Sequence, residues 1–112
     1  MSQSQRSFKL TLQAQQSLTD IFVWTIDQFG TKQAELYKTQ LMKRINALVI
    51  GEPPHGRSCY LLMQGLRESS DLEYYREGSH YIVYRNTTQQ LLIVDFIHGS
   101  RNLTEILAEL VD

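Results

Sequence analysis

The sequence has little of what builds secreted, metal-clustered or membrane-spanning proteins. Cys59 is its one cysteine, which excludes an internal disulfide and the paired-cysteine spacings of zinc sites. A reducing cytoplasm is therefore the expected compartment. The longest apolar runs are far shorter than the roughly 20 residues needed to cross a bilayer, and MSQSQRSFKL has no apolar signal core. The two prolines are adjacent, at Pro53 and Pro54, so no stretch is rich enough in proline to read as a linker. Like charges never run beyond a pair, and the formal net charge is -1, which argues against a protein that lives on counterion release from nucleic acid. The halves differ: residues 1–50 hold six basic and three acidic side chains, residues 51–112 five and nine. Charged helix faces account for that asymmetry more simply than a nucleic-acid track.

What is present fits one domain of 112 residues with 42% hydrophobic content, enough for a single core. Residues 8–12, FKLTL, alternate, placing Phe8, Leu10 and Leu12 on one face of a short strand. Leu18, Ile21, Phe22, Ile26 and Phe29 recur at helical steps, and Gly30 fits the position after a helix end. Thr31 is expected to cap a second helix with the stripe Ala34, Tyr37, Leu41, Ile45 and Leu48, stopped by Gly51, Pro53 and Pro54. So short a break predicts a helical hairpin. Between Gly51 and Asp71 the pattern leaves CYLLM open, as strand or helical turn. Three strands are expected at 72–76, 80–86 and 91–98, antiparallel because the turns are short. The apolar runs Tyr81 to Tyr84 and Leu91 to Val94 predict a sheet covered on parts of both faces. Asn102 and Glu105 then open a final helix with the stripe Leu103, Ile106, Leu107 and Leu110. The fold class is α+β: an N-terminal strand, an antiparallel helical hairpin on a mainly antiparallel sheet, and a short C-terminal helix.

Each chemically suggestive residue has an ordinary explanation beside it. Histidine titrates near neutrality, so His98 is a candidate general base, yet a strand-end histidine bonded to a loop is the commoner case. His98 with Arg101, and with Arg85 or Arg76, would form a basic edge; the rival is a rim of pairs with Glu77, Asp95 or Glu105, each contributing about 0–1 kcal/mol. His80 reads as a turn residue and His55 as solvated loop. The histidines lack metal-ligand spacing, and neither metal nor cofactor is expected. Asp95 interrupts LLIVDFI and is expected half-exposed beside Arg85, so that Asp95→Ala harms folding more than activity. Val23 and Trp24 lie off the first helix's stripe and suggest a contact surface. Cys59 reads as an inert, half-buried thiol.

The segments FKLTLQAQQSLTDI, FGTKQAELY, GLRE, GSHYIVYR and FIHGSRNL, in this order and at this length, resemble the ParE/RelE superfamily of bacterial toxins from type II toxin-antitoxin pairs. Gly78, Ser79, His80 and Tyr84, followed by His98, Gly99 and Arg101, bring the resemblance closer to the ParE branch. That branch implies a plasmid-stabilising, non-enzymatic poison that traps DNA gyrase on DNA and is silenced by a ParD-like antitoxin. Contacts with target or antitoxin would fall on Trp24, Lys38, Arg85, His98, Arg101 and Leu103, with residues 98–110 and the exposed face of the second helix as the main regions. The RelE branch implies instead a ribosome-dependent endoribonuclease of messenger RNA, which needs a base, a phosphate-binding cation and an acid; here those would be His98, Arg85 and Arg101. RelE-like enzymes often carry an arginine inside the strand that matches 80–86. This chain has Tyr81 and Ile82 mid-strand and its arginine late, at Arg85. A third alternative is an inactive fold relative that only binds its antitoxin.

Overall fold

In the computed structural model, which describes residues 6–59 and 72–110, a five-stranded sheet of order β1-β5-β4-β3-β2 carries helices on both faces. Strand β1 (Ser7–Leu10) leads into α1 (Leu12–Phe29) and α2 (Thr31–Ile50). After them come β2 (Arg57–Ser58), β3 (Leu72–Glu77), β4 (His80–Asn86), β5 (Gln90–His98) and α3 (Leu103–Leu110). The expected α+β architecture is the one observed, and β3, β4 and β5 form the expected antiparallel meander. β1 pairs in parallel with β5, Ser7 opposite Gln90 and Leu10 opposite Ile93. Strand β2 was not anticipated. Of CYLLM, all but Cys59 lies outside the described residues.

The first strand is shorter than its alternation suggests, because Thr11 caps α1. Its hydroxyl accepts the Ala14 N–H at 3.0 Å and donates to the Val94 carbonyl at 2.8 Å. Leu12 therefore starts the helix and is 83% exposed, leaving the strand face it was expected to share. At the hairpin one residue ends α1 and begins α2: Gly30, at φ 93° and ψ 166°. A side chain is rarely tolerated at that φ, which is why glycine stands there. Thr31, expected as the cap, is the first helical residue of α2, and Gly30 precedes it with no side-chain cap.

Two cores result. On one face the hairpin presents Ala14, Leu41, Ile45, Leu48 and Val49 to Ile82, Tyr84, Leu91, Ile93 and Phe96. On the other, Leu103 and Leu107 of α3 join Leu72, Val83, Ile97 and Cys59. Alternation within the continuous run 81–84 sends Ile82 and Tyr84 to the first core and Val83 to the second, as a doubly covered strand requires. Each fully buried aliphatic side chain contributes about 1.5–3 kcal/mol. Phe29 departs from the predicted stripe: it is exposed and packs edge-on against Trp24, ring centroids 5.9 Å apart.

Asp95 corrects the sequence reading. It is buried, at 8% exposure, rather than half-exposed. β1 ends at Leu10, opposite Ile93, so beyond Ile93 that edge of β5 has no strand neighbour, while Asp95 still pairs with Val83 on the other side. The Asp95 carboxylate fills the gap, accepting the Phe96 N–H at 2.8 Å and the Ser17 hydroxyl of α1 at 2.6 Å.

Candidate functional site

The polar edge foreseen at the end of β5 is built by the β3–β4 hairpin and the close of β5. Glu77 pairs with His80 across a two-residue turn, Gly78 and Ser79, and His80 in turn faces His98. The two imidazoles meet edge-to-face with centroids 5.1 Å apart. α2 reaches the same place through Tyr37, whose hydroxyl accepts the Ser79 N–H at 3.0 Å and lies 2.8 Å from His80 Nδ1 and 3.2 Å from the Glu77 carbonyl.

His80 is thus more than a turn residue. Burial lowers its pKa to about 4, with the neighbouring His98 and Arg76 adding to the effect, so the ring is neutral near pH 7 and serves as an internal strut. Burial also raises the Tyr37 hydroxyl above its ordinary value. His98 is exposed, and its Nδ1 accepts the Ser100 N–H at 3.0 Å and contacts the Ser100 hydroxyl at 2.8 Å. Its loop bond is therefore to an amide donor. With Nδ1 occupied as an acceptor, the neutral ring carries its proton on Nε2. That arrangement offers a donor to a partner and leaves no free lone pair for proton abstraction.

The remaining predicted residues are dispersed. Arg101 is exposed in the turn after β5, its N–H bonded to the His98 carbonyl at 3.0 Å. Arg85 sits opposite Leu92, at the far end of β4 from the His80–His98 pair, about 16 Å along the strand. The structure therefore does not bring Arg85 to His98 and Arg101. The arginine that does reach this turn is Arg76: a Cβ at Gly99 would lie 2.6–2.8 Å from its guanidinium atoms. The pairings proposed for Glu77 and Asp95 also change. Glu77 binds Arg44 of α2 at 2.8 Å and Gln40 at 2.7 Å, while Arg44 stacks 4.5 Å from the Tyr75 ring. Leu103 is buried in the second core, so it is no part of the free surface. His55 is exposed as expected, and its Nε2 lies 2.9 Å from the Gly51 carbonyl. Cys59 is fully buried, more than foreseen, and burial pushes its thiol up to about 12. Among the described residues no three His, Cys, Asp or Glu side chains converge as a metal site.

A second surface lies on the helical hairpin. Val23 and Trp24 are 58% and 55% exposed, continuous with Phe29. They border a shallow groove of about 460 Å³ that Ile26 also lines and whose rim carries Asp20 and Asp27. Lys38 stands on the same hairpin with its ammonium 5.5 Å from the Phe22 ring centroid. Among the described residues no helix is long and apolar enough to cross a membrane.

Comparison with known proteins agrees with this architecture. No curated protein sequence matches the chain. A solved structure described as the chromosomal ParDE toxin-antitoxin system from P. aeruginosa is similar in fold, with TM-score 0.63 at 12% identity over 83% of this chain and 95% of that one. The family model for the ParE toxin of the type II toxin-antitoxin system parDE matches residues 8–103. From β1 to the start of α3, then, the chain belongs to the ParE toxin family.

Proposed function

We propose that this protein is the toxin of a type II toxin-antitoxin module, that it inhibits DNA gyrase by protein-protein contact, and that a ParD-like antitoxin silences it. Family membership supports the toxin role and the kind of antitoxin. The separation of Arg85 from His98 supports recognition over catalysis. An RNA-cleaving site needs a base and phosphate-binding cations converging on one phosphate, and here one predicted cation stands at the opposite end of β4. His98 offers a donor at a rim. The exposed Val23, Trp24 and Phe29 offer the aromatic and aliphatic anchors on which protein partners bind. Their aspartate rim favours an antitoxin segment with basic residues flanking its apolar ones. In this role the protein acts in the cytoplasm as one domain and requires no cofactor.

The test is a supercoiling assay with purified gyrase, ATP and relaxed plasmid, run beside a translation reaction that reports messenger cleavage. Loss of supercoiling with intact message is the expected result. Cut message with unaffected gyrase would overturn the proposal in favour of a ribonuclease.

A further inference from the structure

The outer edge of β3 carries a recess that shares Arg76 with the His98 turn and that the hairpin surface does not account for. β2 covers only Glu73 and Tyr74 of that edge. Beyond it lies a cavity of about 420 Å³ lined by Pro54, His55, Arg57, Tyr74, Arg76 and Tyr81 among others. Among the described residues no carboxylate lines it, although residues 51–112 carry nine acidic side chains against five arginines. Positive charge has been gathered locally in the acidic half of the chain.

Arg76 is fixed in place before any ligand arrives. Its Nε donates to the Gly78 carbonyl at 3.2 Å, and its guanidinium lies 5.5 Å from the Tyr81 ring centroid. Gly99 leaves room for the guanidinium where any Cβ would collide. The Tyr81 ring is itself held edge-to-face by Tyr74, centroids 5.8 Å apart. Arg57 and Arg76 both line the recess, and among the described residues the ion pair found is Arg44 with Glu77, so neither of them is paired with a described carboxylate. Guanidinium forks match phosphate oxygens, and aromatic walls take the face of a planar ring.

We propose that this recess binds a nucleoside phosphate, its phosphate between Arg57 and Arg76 and its base against the tyrosine wall. The volume suits one such unit. An acidic peptide would satisfy the arginines but would leave the aromatic wall without a planar partner. The ligand could be a free mononucleotide or one residue of a single strand, since both present the same chemistry. The inference is independent of gyrase as the target.

Isothermal titration of the full chain with AMP, adenosine, inorganic phosphate, a five-residue single-stranded oligoadenylate and a tetraglutamate peptide tests it. AMP should bind with Kd below about 1 mM and about tenfold tighter than either adenosine or phosphate alone. Arg57→Gln, which removes no described hydrogen bond, should weaken AMP about tenfold, whereas Lys32→Gln on α2 should not. Arg76→Gln should do the same as Arg57→Gln, with circular dichroism verifying its fold. Tighter binding of the oligoadenylate than of AMP identifies a strand as the source, and equal binding a free nucleotide. Phosphate binding as well as AMP, displacement of AMP by tetraglutamate, or AMP affinity unchanged in Arg57→Gln would each overturn the proposal.

Discussion

Asp95 and His80 are buried polar residues held by different means, and they predict different failures. Asp95 accepts two hydrogen bonds, from Phe96 N–H and Ser17. Its replacement by alanine strands both donors next to the core. Asp95→Ala should therefore lower stability by about 2–4 kcal/mol, read as a reduced urea midpoint with an unchanged slope, while any refolded fraction keeps its activity. A stable but inactive variant would contradict this. His80 couples the fold to pH. Its folded pKa, lowered to about 4 by burial first and then by His98 and Arg76, lies below the roughly 6.5 of an unfolded histidine. As pH falls below about 6.5, the unfolded chain takes up a proton that the native ring refuses, so stability declines until about pH 4 and then levels. The loss from this group is about 3 kcal/mol. Thermal melts of the protein and of His80→Gln across pH 4–7 should converge toward the acid end, and parallel curves would assign the acid sensitivity to other groups. A folding role for Asp95 was legible in the sequence, but the partners of neither residue were. Asp95 stands out as an interruption of an apolar run, but its partner Ser17 is supplied by a helix far away in the chain, and the Tyr37–His80 bond likewise spans 43 positions.

Elements were read more successfully than contacts, because their signals are local. The stripe of α2, the three antiparallel strands and the Asn102 cap of α3, whose Oδ1 accepts the Glu105 N–H at 3.3 Å, all follow from spacing. The errors sit at boundaries where a polar side chain prevails over a hydrophobic pattern. Thr11 ends β1 one step before Leu12 by capping α1, and its hydroxyl also ties that helix end to β5. Thr11→Val keeps the β-branched shape and removes both bonds. A loss of about 1–2 kcal/mol in chemical denaturation is expected, with Thr11→Ser recovering most of it. Equal losses for valine and serine would mean that the methyl group rather than the hydroxyl matters. The two-residue β2 was illegible for a related reason: it pairs only with Glu73 and Tyr74 and has no periodicity of its own.

On the scale of the whole molecule, the surface divides into a polar rim at the hairpin turn, an apolar ridge on α1 and a basic aromatic recess beside β3. The rim was visible as polar residues at the end of a strand, and the ridge as Val23 and Trp24 off a helical stripe. The recess required the register of three strands to bring Arg57, Tyr74, Arg76 and Tyr81 together. Trp24 touches Phe29 and is otherwise largely exposed, so Trp24→Ala should leave the melting temperature within about 2 °C of the parent, as surface substitutions usually do. The same substitution should weaken a ParD-like antitoxin by tenfold or more, since buried aromatic anchors are worth about 2 kcal/mol at interfaces. An unchanged dissociation rate by surface plasmon resonance would move the antitoxin to another face.

The parallel pairing of Ser7–Leu10 with Gln90–Ile93 also sets an order of events during synthesis. The helical hairpin emerges early, with its apolar side facing nothing. The strands that cover it, and the strand that β1 must join, follow later in the sequence. Until β5 has been made, the core face of the hairpin lacks the strands that cover it. β5 joins β1 to β4, so the sheet closes in one step when that strand arrives and does not build up gradually along the chain.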